Sequence, residues 1–202
     1  PGAFEDDAKT AHGVLRYGHD DVVAVIDPTL AGKRVSDVLP MLRSDAPIVA
    51  TMADGLAFAP TALLIGTAPM GGALPVEWRA EVLTAIDAKL EIVSGLHSML
   101  ADDAEFAAAA RANGTRIWDV RQPPDIPIFS GAAFELKPPV LLMVGNDCAV
   151  GKMTVALEAL AAARARGKHA ALVPTGQTGI MIAGWGISVD RVISDFATGA
   201  AE

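Results

Sequence analysis

Hydrophobic and polar positions along the chain fall in blocks rather than in strict alternation. Short apolar-rich runs stand at Val22–Ile26, Pro47–Ala50, Ala62–Ile65 and Thr115–Val120, with Ile92-Val93 between the last two. Runs of this length, without a two-residue period, predict strands of a parallel sheet covered on both faces. The stretches between them repeat at helical spacing. Pro75 is placed as a first helical residue, and Trp78, Val82, Leu83, Ile86 and Leu90 then recur on one face. Asp102, with Glu105 three residues on, predicts a capped helix start. That helix runs through Phe106 and Ala110 and stops at Asn113-Gly114. Alternating strands and helices predict an α/β, Rossmann-like domain over residues 1–122.

Pro123, Pro124, Pro127, Pro138 and Pro139 then interrupt any period, so residues 123–139 read as a proline-rich linker. A second domain is expected over 140–202. Val140–Val144 reads as a buried strand, Lys152–Arg166 as an alanine-rich helix stopped by Gly167, and His169–Val173 as the next strand of a βαβ unit. Val189–Phe196 reads as a further helix. Two strands are few for a parallel sheet, so this domain is expected to be a truncated one.

Composition narrows the function classes. Half the residues are hydrophobic, which is enough for a packed core. The net charge of −8 excludes a general nucleic-acid or membrane-surface binder, so an anionic ligand must be attracted locally. Cys148 has no second cysteine to pair with, which fits a reducing, cytoplasmic setting. No apolar run approaches membrane-spanning length, and no signal-peptide pattern follows Pro1.

The chemistry concentrates at Gly145–Thr154. An apolar run leads into a glycine-bounded loop ending in Gly151-Lys152, and a helical stretch follows at once. Backbone N–H groups, a helix N-terminus and a lysine in that order predict a phosphate cradle. Gly145, Asn146, Cys148, Ala149, Val150, Gly151, Lys152, Met153 and Thr154 are its expected lining. Two departures from the ordinary P-loop stand out. Five residues, Asn146 to Val150, separate the first glycine from Gly-Lys, where four are usual. Met153 stands where a Ser or Thr would hold Mg²⁺, and Thr154 comes one position late. Phosphate binding follows from the pattern; ATP turnover does not.

Other candidates carry less. Asp147 lies inside the cradle, where a carboxylate repels phosphate; it reads either as a base or cation ligand, or as a cap on nearby N–H groups. Cys148 reads as a small filler. Thr175, Gly176, Gln177, Thr178 and Gly179 form a polar segment at the carboxyl end of an expected strand, the ligand edge of an open α/β sheet; an ordinary turn is the alternative. Asp195 reads as a base, as an ammonium ligand, or as solvated surface. Gly66–Gly72 could cradle a carboxylate, and Ser94-Gly95-Leu96-His97 places one histidine at the same kind of edge. No cysteine or histidine pair has metal spacing, so no metal site is expected.

Gly145-Asn146-Asp147 with Val150-Gly151-Lys152 resembles the phosphate loop of dethiobiotin synthetase, which shares the extra residue and the aspartate. A broader resemblance runs along nearly the whole chain. It rests on Lys9–Gly13, Ala24–Lys33, Leu64–Gly66, Ile92–His97, Ile117–Arg121, the phosphate loop and Thr175–Gly186. These segments resemble the family of D-glutamate N-acetyltransferase, with a Rossmann-like N-terminal and a P-loop C-terminal domain. The resemblance implies an acyltransferase of D-amino-acid catabolism, with acetyl-CoA as co-substrate, an acidic amino acid as partner, and a homo-oligomeric state. It also implies that members extend past this chain's end.

Under that resemblance Asp147 or Asp195 would be the base, and Lys152 or loop N–H groups would serve the oxyanion. Ser94, His97, Thr175, Gly176, Gln177 and Thr178 would hold the substrate. The alternatives are an ATP/Mg²⁺-dependent ligase or kinase and a non-catalytic nucleotide-binding module.

Overall fold

Strands and helices alternate through the first part of the chain. Their order is α1 (Lys9–Tyr17), β1 (Val25–Ile26), α2 (Val35–Val38), β2 (Ile48–Val49), α3 (Met52–Gly55), β3 (Ala62–Leu64), α4 (Arg79–Asp87), β4 (Glu91–Ser94), α5 (Ala104–Asn113) and β5 (Ile117–Asp119). The structure, a computed structural model, describes residues 3–69, 71–125, 128–147 and 150–202. The chain divides into two compact units, Pro1–Gln122 and Pro123–Glu202.

In the first unit β3, β4 and β5 pair in parallel in that order, with Leu63 opposite Ile92 and Ile92 opposite Ile117. β1 and β2 form a second parallel pair, Val25 opposite Ile48. Ile92, Val93 and Ser94 of β4 are all buried, so both faces of the strand are covered, as an unbroken apolar run requires. α4 turns Val82, Ala85 and Ile86 onto that sheet at helical spacing. They share one core with Leu90, Leu96, Leu100, Phe106 and Ala110, while Trp78 and Leu83 pack at its margin. A second core joins Phe4, Ala8, Val35, Leu42, Ala46 and Ile48.

The α4–α5 contact is locked electrostatically. Asp103 accepts the N–H groups of Glu105 and Phe106 and caps α5. Arg79 meets the same carboxylate with both terminal nitrogens, at 2.8 and 3.0 Å, and lies 4.3 Å above the Phe106 ring. The Arg79 guanidinium, aided by the cap N–H of Phe106, holds the Asp103 carboxyl at about 2, below its ordinary 3.8. Gly114, left-handed at φ 67°, ends α5.

The second unit contains α6 (Lys152–Ala165), α7 (Gln177–Ala183) and α8 (Ala197–Ala201). The Glu202 carboxylate accepts the backbone N–H and the hydroxyl of Ser130, and the N–H of Ala133. These donors hold its carboxyl below the usual range.

Several expected elements differ. Val140–Val144 is not a strand: Val140, Leu141, Leu142 and Val144 are each at least 75% exposed. His169–Val173 is not a strand either. A parallel strand is held by its neighbours, and among the described residues every strand pairing belongs to the first unit. Val189–Phe196 is two 3-10 turns, Val189–Arg191 and Ser194–Phe196, separated by extended Val192 and Ile193. Asp103, not Asp102, caps α5. Asp119 accepts the N–H groups of Leu100 and Ala101 and holds a 3-10 turn through Asp102, which moves the helix start by one residue. Pro75 precedes a 3-10 turn, Val76–Trp78, and α4 begins only at Arg79.

The low Asp103 value fixes a pH dependence. A carboxyl depressed in the folded state adds stability that is present above its unfolded value and lost as pH falls through its folded value. The urea midpoint of the protein is expected to exceed that of Asp103→Asn above pH 4, and the two should converge near pH 2. A constant gap across that range would contradict the Arg79 contact. Asp103→Ala, which also loses the cap, is expected to cost about 1 kcal/mol or more at neutral pH.

Candidate functional site

The phosphate loop is built from its glycines outward. Gly151 is left-handed at φ 96°, which turns the chain into α6 at Lys152. The N-cap residue of α6 is Gly151, which has no side chain to occupy the first-turn N–H groups, and such a helix end suits an anion. A Cβ on Gly145 would stand 2.9 Å from Val150 Cγ2 and 3.1 Å from Lys152 Cγ. Glycine is therefore what lets the loop fold back on its own lysine stem. The Lys152 ammonium donates to the Asp147 carbonyl oxygen.

Asn146 and Asp147 are exposed, as are Val150 and Thr154, while Met153 is half-buried. Cys148 and Ala149 lie outside the described residues. The arrangement fits a phosphate: a left-handed glycine turn, a helix end without a cap and a flexible cation. It lacks a hydroxyl on the residue after Lys152. Among the described residues no group of three or more His, Cys, Asp or Glu side chains could hold a metal.

The polar segment 175–179 is shorter as a loop than its sequence predicts. Gln177, Thr178 and Gly179 already belong to α7, and Thr178 is 6% exposed. Only Thr175 and the extended Gly176 precede the helix. Pro174 anchors the region. Its carbonyl accepts the N–H of Ile187 at 3.1 Å, and the Thr175 carbonyl accepts that of Val189 at 3.3 Å. Gly186, at φ 133°, passes so close that a Cβ would stand 2.7 Å from the Pro174 carbonyl oxygen. Sequence reasoning missed this strap from Gly184 to Val189, although its repeated glycines were a visible signal. Asp195 is exposed on the Ser194–Phe196 turn.

Ser94 and His97 belong to the first unit, where the carboxyl ends of the parallel strands bring several loops together. Ser94 is fully buried, and its hydroxyl oxygen accepts the N–H of Leu96 at 3.3 Å. His97 is exposed. Its backbone N–H and that of Ser98 donate to the Gly72 carbonyl, at 2.9 and 3.1 Å. The Gly66–Gly72 segment and the loop after β4 therefore meet.

Three charged residues of the first unit are buried near strand ends. Asp27 accepts the N–H of Phe4 and both donors of Thr29. Asp119 holds the 3-10 turn before α5. Arg121, 5% exposed, donates from Nε to the Gly95 carbonyl at 2.7 Å. Each stands at or just past a strand's carboxyl end, the signal that could have singled them out.

Comparison with known proteins follows this division. Residues 28–123 match the family described as a domain of unknown function, DUF1611_N, a Rossmann-like domain. Residues 127–202 match its companion, the DUF1611_C P-loop domain. A D-glutamate N-acetyltransferase of Tritonibacter scottomollicae is 40% identical over 153 residues, covering 75% of this chain and 45% of that protein. One from a Pseudoalteromonas species is 37% identical over 139 residues, covering 69% and 42%. The chain thus spans less than half the length of these curated relatives. The crystal structure of a DUF1611 family protein from Anabaena variabilis superposes with a TM-score of 0.90 at 39% identity, covering 96% of this chain and 57% of that one. With an α/β N-terminal unit and a P-loop C-terminal unit, the chain belongs to the DUF1611 family.

Proposed function

We propose that the protein is an N-acetyltransferase that moves the acetyl group of acetyl-CoA to the amine of an acidic amino acid, D-glutamate first among them. The observation that carries this reading is the loop itself: a phosphate cradle with Lys152 in place and Met153 where a metal-binding hydroxyl would stand. Coenzyme A carries a pyrophosphate and a 3′-phosphate that need holding, not splitting. A cradle without the hydroxyl serves that purpose. The relatives named D-glutamate N-acetyltransferase support the same reaction.

Residues Gly145–Thr154 would hold the phosphates through backbone N–H groups and the Lys152 ammonium. To take that role Lys152 must exchange the Asp147 carbonyl for a phosphate oxygen, a stronger acceptor. Transfer requires an uncharged amine. The Asp147 or the Asp195 carboxylate, both exposed, would take one proton from the substrate ammonium. The amine nitrogen then bonds to the acetyl carbon, the carbon–sulfur bond breaks, and coenzyme A leaves as the thiol with a proton from the nitrogen. A second reading, an ATP-dependent ligase or kinase, draws on one observation: the exposed Thr154 hydroxyl one residue beyond Met153.

Incubation with acetyl-CoA and D-glutamate is expected to release free thiol, with L-glutamate the slower substrate. No thiol with either enantiomer, together with Mg²⁺-dependent ATP hydrolysis, would establish the second reading instead. Lys152→Ala is expected to raise the KM for acetyl-CoA by about ten- to a hundredfold, the loss of a charge-assisted contact. The KM for D-glutamate should move far less. An unchanged KM for acetyl-CoA would remove the loop from coenzyme binding.

A further inference from the structure

β5 is an edge strand. β4 bonds it on one side, and among the described residues no strand pairs with its other side. In a parallel pair, alternate residues turn their backbone groups toward the neighbour. The Arg116 carbonyl accepts the Ile92 N–H at 3.0 Å, and the Val120 N–H donates to the Ser94 carbonyl at 2.9 Å. Ile117 and Asp119 therefore turn their backbone groups outward. The Asp119 carbonyl accepts the N–H of Gln122 at 2.9 Å. The Asp119 N–H and both backbone groups of Ile117 have no hydrogen-bond partner among the described residues.

Free edges are ordinarily blunted by lysine, proline or a bulge. Ile117-Trp118-Asp119 has none of these, and its register with β4 is regular. A groove runs along the edge, lined by Met99, Ala101, Asp102, Arg116, Trp118 and Gln122. Its charge differs from end to end. Arg116, exposed, stands just before β5, with its guanidinium 3.1 Å from Glu91 and 5.4 Å from the centre of the Trp118 ring. Asp102, also exposed, stands by the last residue of β5, because the Asp119 carboxylate accepts the N–H of the adjacent Ala101. A strand edge that runs from basic to acidic is complementary to its own reverse.

We propose that β5 of a second copy of this chain fills the groove, running antiparallel about a two-fold axis. Ile117 of one copy then exchanges backbone hydrogen bonds with Asp119 of the other. That exchange satisfies the outward N–H groups of both residues and the Ile117 carbonyl. The two Trp118 residues face each other at the axis as a non-hydrogen-bonded pair, where side chains stand closest. Each Arg116 end lies against the Asp102 end of the other copy. Backbone bonding alone would accept any strand; the divided charge selects the chain's own edge. The result is one sheet continuous through both copies.

Sedimentation velocity at micromolar concentration is expected to give a dimer, with the Ile117 and Asp119 amides protected from hydrogen exchange. Trp118→Lys sets a charge at the axis and is expected to halve the mass and expose both amides. Should its circular dichroism show a lost fold, Arg116→Glu tests the same contact from an exposed position. Arg116→Glu and Asp102→Arg are each expected to raise the dimer dissociation constant about tenfold, the contact being made twice across the axis. The two substitutions together should restore it. A monomer would overturn the proposal. So would an assembly that neither Trp118→Lys nor Arg116→Glu weakens. Protected Ile117 and Asp119 amides in a monomer would also overturn it, since another segment of the same chain would then cover the edge.

Discussion

Parallel strands hold together only through neighbours, and this constraint decides what each unit of the chain becomes. In the first unit β4 is bonded on both edges and buried on both faces. α4 and α5 pack on it, and the loops after β3, β4 and β5 are delivered to one edge by it. In the second unit the apolar run Val140–Val144 has no such neighbours among the described residues and stays exposed. Its turn into α6 nevertheless forms, because a left-handed Gly151 and a helix start are local matters.

The same distinction explains what could be read in advance. Helix α5 was legible because its stop is written locally, in Asn113-Gly114, and its buried face in Phe106 and Ala110. Its first residue was not. Asp102 and Asp103 both suit a cap, and the choice is made by Asp119, distant in sequence, which holds the preceding 3-10 turn. The strands of the first unit were legible in position and over-long in extent, since pairing trims Val22–Ile26 to Val25–Ile26. The expected helix 189–196 failed because Val192 and Ile193 are extended between two tight turns.

At the site, legibility followed chemistry. Gly145, Gly151 and Lys152 carry a pattern whose physical reason is visible in sequence, and the structure brings them together. Ser94, expected to contact a ligand, is fully buried and its hydroxyl oxygen accepts the Leu96 N–H, a contact its Ser-Gly setting did not foretell. With a net charge of −8, an anionic ligand would have to be drawn in by local features such as Lys152 and the start of α6, not by the surface as a whole.

The central claim is that the 145–154 loop is a phosphate cradle that works without a metal. Titration calorimetry of acetyl-CoA into the protein, once with Mg²⁺ and once with EDTA, tests it most directly. The account predicts the same affinity in both. Binding of acetyl-CoA that vanishes in EDTA, or tight Mg²⁺-dependent binding of ATP with none of acetyl-CoA, would contradict it.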